Sequence, residues 1–121
     1  MTELEFKNWF FKLKKIWELK TPEKITEICA EKFSWYETPF DKPYTTKEEL
    51  LNDWRGILSQ DKINVVINLL AVNNNLGIAN WNASFERLSS GEKVELNGIF
   101  TVKLNNKGKC IEFRQWRSSK K

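Results

Sequence analysis

The sequence predicts an α+β domain, with helices first and a mainly antiparallel sheet after them. Three observations carry this. Capping signatures precede apolar residues at helical spacing near the start of the chain and again before residue 50. From Ile63 onward the apolar residues are β-branched or alternate with polar ones. Asn105-Asn106-Lys107-Gly108 is the strongest hairpin signal in the chain. Helices gathered early and strands gathered late place helices on one face of a sheet.

Thr2 and Glu5 form a T-x-x-E capping box. Phe6, Trp9, Phe10, Leu13, Ile16 and Trp17 then recur as one apolar stripe, and most lysines fall opposite. Such a stripe fits a helix lying on its own sheet; a membrane-surface or peptide-target helix is the other reading. Thr21-Pro22-Glu23 starts a second, short helix, with Ile25, Ile28 and Cys29 on its buried side. From Lys32 the residue types Phe33, Trp35 and Tyr36 read as a short strand, ended by Pro39 and Pro43. Thr46 and Glu49 form another capping box, opening a third helix that ends near Ser59-Gln60.

Ile63 to Val72 reads as a strand and Asn73-Asn74-Asn75 as a turn. Ile78 to Arg87 alternates, with Ala79, Trp81, Ala83 and Phe85 on one side. Val94 to Leu104 is a long strand in which Gly98 predicts a bend or bulge. Cys110 to Arg117 closes the run. Residues 1–117 form one domain by this reading, and 118–121 a short basic, frayed tail.

The 121 residues are one domain's worth and can bury a core without a metal or disulfide staple. The net charge of +4 permits nucleic-acid contact, but no run of five like charges exists, so a lysine-rich solvated surface is the simpler reading and nucleic acid is not the expected partner. The start of the chain lacks the apolar segment of a secretory signal, and no apolar run approaches the ~20 residues of a membrane span. Cys29 and Cys110 are expected as free, buried thiols in a reducing cytoplasm. There is no histidine, which removes the commonest general base near neutrality and the commonest metal ligand. No cofactor and no metal is assigned. Any catalysis must run on carboxylates, Tyr, Lys, Cys or water.

Two stretches carry a family likeness. One is YETPFDKPYTTKEELLNDW: an aromatic strand, a proline loop, then a capped helix bearing a Trp. The other is GIANWNASFERLSSGEKVELNGIFTVKLNNKGKCIEFRQW: an alternating strand, a long strand with a central Gly, and a hairpin into a last strand ending Arg-x-Trp. In this order the chain resembles the nuclear transport factor 2-like superfamily, especially its SnoaL-like branch. The resemblance implies a cone: a curved sheet wrapped around the long first helix, with a pocket between the concave face and the helices. It also implies frequent homodimerisation through the sheet's other face. Its members include isomerases, cyclases, dehydratases and epoxide hydrolases, beside domains without catalysis, so the fold leaves function open.

On that implication SWYETPFDKPY (34–44) lies at the pocket rim. Glu37, Asp41 and Glu112 are candidate catalytic carboxylates, with Tyr36 or Tyr44 as hydrogen-bond donor; the other reading of Glu37 and Asp41 is that they cap or solvate their loop. If Trp35 and Glu37 share a side, Tyr36 and Thr38 share the other. Glu112, Arg114 and Trp116 alternate onto one face of the last strand, and Ile111, Phe113 and Gln115 onto the other. The first set, with Asn97 from the neighbouring strand, either faces the cavity or forms a salt-bridged outer row. Trp9, Trp17, Trp54, Trp81, Trp116 and Phe100 either line an apolar cavity or fill the core. No firm Asp-Arg-Asp set of the epoxide-hydrolase kind is visible, and His-dependent cyclase chemistry is excluded. Three functions follow: a pocket for a small hydrophobic molecule, an isomerase, cyclase or dehydratase using a carboxylate and Tyr, and an interaction domain without chemistry.

Overall fold

The six apolar side chains of the first stripe set the architecture, because one face of one helix buries all of them. The computed structural model describes residues 2–120. Helix α1 spans Glu3–Glu18, and Phe6, Trp9, Phe10, Leu13, Ile16 and Trp17 are its buried residues. Thr2 Oγ1 accepts the Glu5 amide at its start. It ends in a Schellman arrangement: Lys20 takes a φ of 56°, its N–H donates to Trp17 O, and Thr21 N–H donates to Ile16 O.

The second predicted helix is a tighter 3-10 stretch, Pro22–Ile28. The first strand, β1, spans Cys29–Tyr36 and so begins three residues earlier than its residue types suggested. Thr46 and Glu49 make the full reciprocal capping box of α2, Lys47–Trp54. Glu49 also accepts the Thr45 amide, and these donors hold its carboxyl below the usual range. A 3-10 turn, Arg55–Ser59, leads into β2, Gln60–Asn73. Then follow β3 Leu76–Arg87, β4 Lys93–Leu104 and β5 Cys110–Ser119.

The strands form one sheet in the order β1-β5-β4-β3-β2, antiparallel except where β1 runs parallel to β5. This is the predicted α+β class, with a curved, cone-like sheet around α1. The helix is tied to the edge strand β2: Lys14 Nζ donates to Val65 O, and Val65 N donates to Glu18 Oε2 at 2.8 Å. Lys14 and Glu18 also pair at 3.2 Å. Alternation on β3 follows the predicted sides, with Ala79, Trp81, Ala83 and Phe85 buried against the helices.

Two expectations need correction. Residues 118–120 are not a frayed tail. Ser118 and Ser119 pair with Asn97 and Leu96, and Lys120 N donates to Glu95 O at 2.9 Å. Strand β4 extends far enough to give them partners, which composition alone does not reveal. Lys121 lies outside the described residues. Gly98 is not a bulge either: it pairs in register with Trp81 on one side and Arg117 on the other, and the register shifts fall elsewhere. Glycine is needed there for close approach, since a Cβ would lie 1.8 Å from the Trp116 carbonyl oxygen and 2.9 Å from Trp81 Nε1. A backbone atom cannot swing away as a side chain does. Gly98→Ala is therefore expected to lower unfolding stability by more than about 2 kcal/mol in a urea titration. A change within a few tenths would contradict the contact.

Candidate functional site

The helices do not fill the concave side completely. A cavity of about 520 Å³ remains between α2, the 3-10 turn after it and the inner faces of β3, β4 and β5. Trp17, Trp54, Trp81, Phe100 and Phe113 give it an aromatic wall. Glu37, Asp53, Gln115, Arg87 and Arg117 add polar groups.

Glu37 reaches the cavity because of the strand before it. In β1, Trp35 points inward and is fully buried, and Glu37 follows on the same side. The loop between them and α2 is pinned at its base: Trp35 N donates to Tyr44 O, and Tyr44 N to Trp35 O, at 2.9 and 2.8 Å. Pro39 and Pro43 suit such an extended loop. The Glu37 carboxyl accepts from Trp35 Nε1 at 2.9 Å and from Gln115 Nε2 at 2.9 Å. Gln115 Nε2 also donates to the Glu37 backbone carbonyl, so both ends of the residue are held. Burial, and then the negative charge of Asp53, push the Glu37 carboxyl up from 4.5 to about 7. The Trp35 hydrogen bond and Arg117, 4.0 Å away, oppose this without reversing it.

Asp53 comes from the last turn of α2. It accepts the Tyr44 hydroxyl at 3.2 Å. Burial and the Asp53 carboxylate raise the Tyr44 phenol to about 12, which keeps it protonated. The site therefore holds two neighbouring carboxyl groups, one able to carry a proton near neutrality, with a guanidinium beside them.

The remaining predicted residues divide by strand face. Trp54, Trp81 and Phe100 line the cavity. Trp9 is buried and donates to Ile28 O at 2.9 Å, away from the cavity wall. Tyr36 also lies outside the lining, with the Arg114 guanidinium 3.8 Å from its ring centre. Asp41 is exposed in its loop, where its side chain accepts from Thr38. Tyr44 borders the site only through Asp53. Glu112, Arg114, Trp116 and Asn97 are absent from the lining. Glu112 pairs with Lys103 and Arg114, Asn97 with Asn82, and Trp116 is 42% exposed. The physical reason is parity: buried Phe113 fixes the inner face of β5 beyond its register shift, so Gln115 and Arg117 face in and Glu112, Arg114 and Trp116 face out. Asp53 and Arg117 escaped the sequence reading, and Gln115 was placed on its strand face without a role. For the β5 pair the usable signal was Phe113, whose side Gln115 and Arg117 must share.

The cysteines are buried and unbridged, and they face each other across the β1–β5 pairing. Burial, with Cys29 beside it, pushes the Cys110 thiol well above its usual range. No helix among the described residues is long and apolar enough to cross a membrane.

No family model and no curated protein matches the chain. Among solved structures it is similar to SalBIII, described as an epoxide hydrolase/cyclase-like enzyme with a role in pyran ring formation in the polyether salinomycin. The two superpose with a TM-score of 0.83 at 12% sequence identity, over 96% of this chain and 92% of that one. At that identity the likeness speaks for architecture. Together with the sheet order and the helix packed in its concave side, it shows that this chain has the cone-like α+β fold of the nuclear transport factor 2-like kind.

Proposed function

We propose that the cavity binds a small, mainly apolar molecule and that Glu37 exchanges a proton with it, in a reaction of the isomerase, cyclase or dehydratase kind. The observation that carries this is a partly buried carboxyl, held by two protein donors and poised near neutrality, at the edge of an aromatic wall. A group titrating near the working pH serves as acid in one step and base in the next. Asp53 contributes by making ionisation of Glu37 harder. The tyrosine role drops out of the mechanism, because Tyr36 lies outside the cavity lining and Tyr44 spends its proton on Asp53.

A second reading, binding without chemistry, is favoured by one detail. Both Glu37 carboxyl oxygens already have protein donors, Trp35 and Gln115. A purely structural acid would look the same. In either reading the protein works in solution, and a homodimer through the outer sheet face, where Trp116 is exposed, belongs to the proposal. Sedimentation equilibrium should then return twice the chain mass of 14.4 kDa, and Trp116→Lys should return a monomer. A monomeric parent protein removes the dimer from the reading.

Binding is tested by filling the space. Leu96 lines the cavity. Leu96→Trp should leave the circular dichroism spectrum unchanged and weaken any apolar ligand found by tryptophan quenching by at least about tenfold. Unaltered affinity would place the ligand elsewhere.

The acid role is tested by titration. Carbon-detected NMR of the Glu37 carboxyl should show a midpoint near 7, shifted down by Asp53→Asn. A raised folded-state value means that this group's stabilising effect is full below 4.5 and is lost as the pH climbs to about 7. The loss integrates to roughly 3 kcal/mol, and Glu37→Gln should abolish that slope. A midpoint in the ordinary carboxylate range would end the acid–base reading and leave the binding one.

A further inference from the structure

Arg117 stands on the inner face of β5, two residues beyond Gln115, and lines the cavity. Its nearest carboxylate oxygen is Glu37 Oε2 at 4.0 Å, the outer limit of an ion pair. That oxygen already accepts Gln115 Nε2 at 2.9 Å. Among the described residues Arg117 has no other ion pair. Arg87, the other guanidinium of the lining, is held by Glu92 at 2.9 Å. Of the two guanidiniums in the lining, Arg117 is thus the one without a close carboxylate partner among the described residues.

Its surroundings are equally one-sided. Across the sheet, Trp81, Gly98 and Arg117 form one row in register. Gly98 puts no side chain between the other two. The Trp81 indole N–H is buried without a hydrogen-bond partner and lies over the Gly98 position. The row therefore carries two donors, a guanidinium and an indole, and no acceptor side chain. Phe113 precedes Arg117 on the same strand face, and Phe100 follows Gly98 on its own. A guanidinium is geometrically matched to a carboxylate, which it engages through two parallel hydrogen bonds.

We propose that the molecule this cavity takes is an apolar ring or chain bearing one carboxylate, seated with the carboxylate on Arg117 and its body against Phe113, Phe100 and Trp81. The proposal deepens the binding reading above and rests on it. It also makes binding proton-linked. The charged and titratable groups around Glu37 are Asp53 from α2 with Tyr44 hydrogen-bonded to it, and Arg117 from β5. While Glu37 is protonated, Arg117 is free for the ligand. Once Glu37 ionises it competes for the guanidinium and repels the incoming anion. Affinity for the anion should fall as the pH rises through about 7.

The experiment is calorimetric titration of the full chain with 2-naphthoate and with its neutral amide, at about pH 6 and about pH 8. At the lower pH the carboxylate should bind at least about tenfold tighter than the amide, the size expected of a charge-assisted pair. By the higher pH its affinity should drop roughly tenfold while that of the amide holds, following the ionised fraction of Glu37. Arg117→Gln should erase the preference. Arg114→Gln, the same charge change on the outer face, should keep it. Equal binding of the two compounds, or a preference that survives Arg117→Gln or disappears with Arg114→Gln, overturns this proposal and leaves the binding reading standing. Binding of neither compound overturns both.

Discussion

Six aromatic rings close on one another, and the rest of the structure is arranged around them. Trp35 stacks on Phe113 with centroids 3.9 Å apart, Phe113 meets Phe100 at 5.0 Å, and Phe100 stacks on Trp81 at 4.6 Å. Trp81 touches Trp17, Trp17 touches Trp54, and Trp54 returns to Trp35, each at about 6 Å. The members come from β1, β5, β4, β3, α1 and α2, so the circuit ties every layer to every other. Stacked and edge-on pairs each add roughly 1 kcal/mol beyond area burial. The larger effect is geometric, because flat, stiff rings cannot collapse into the middle of the circuit as aliphatic chains would. Five of the six rings line the cavity, so the wall of the site and the keystone of the fold are one structure.

The position of Glu37 follows from this circuit. Trp35 is locked between Phe113 and Trp54, which fixes the direction of its indole N–H. That N–H holds Glu37 two residues on. The parallel pairing of Trp35 with Phe113 puts Gln115 beside Glu37, because the two strands advance together. An antiparallel neighbour would carry the chain the other way. Thus a packing requirement, a stacked Trp–Phe pair, delivers a carboxyl with two fixed donors to the cavity edge.

Much of the architecture was legible because its signals are local. The α1 stripe, the Thr46–Glu49 box and the β3 alternation each declare themselves within a few turns or pleats, and the structure follows them. The site was legible only in part, for a related reason. Trp54, Trp81, Phe100 and Glu37 were singled out by residue type and place. On β5 the eye is drawn to Glu112, Arg114 and Trp116, the conspicuous residues, yet a one-residue change of parity exchanges the inner and outer sets. Only the burial of Phe113 against the circuit decides it. Asp53 reads as an ordinary polar residue late in a helix, and its nearness to Glu37 exists only after β1 and α2 dock. Gly98 misled in the opposite direction: a glycine signalling a bulge is indistinguishable in sequence from one that admits a neighbouring carbonyl.

The chemistry of Glu37 is what a scaffold explanation leaves over. To tie β1 to β5 through its side chain, residue 37 needs an acceptor for the Trp35 indole and a partner for Gln115, and an amide supplies both after a side-chain flip of Gln115, at the expense of the Gln115 bond to the residue 37 carbonyl. An amide does so without a desolvated charge and without repulsion from Asp53. A carboxyl at this place is worse as a strut once the pH passes about 4.5, since the folded state must then either hold a proton or tolerate a partly buried anion. What a carboxyl can do and an amide cannot is give up that proton and take it back. The excess cost of the acid over its neutral isostere is thus concentrated in the one property that matters for the proposed proton transfer, at a polar edge of the aromatic wall.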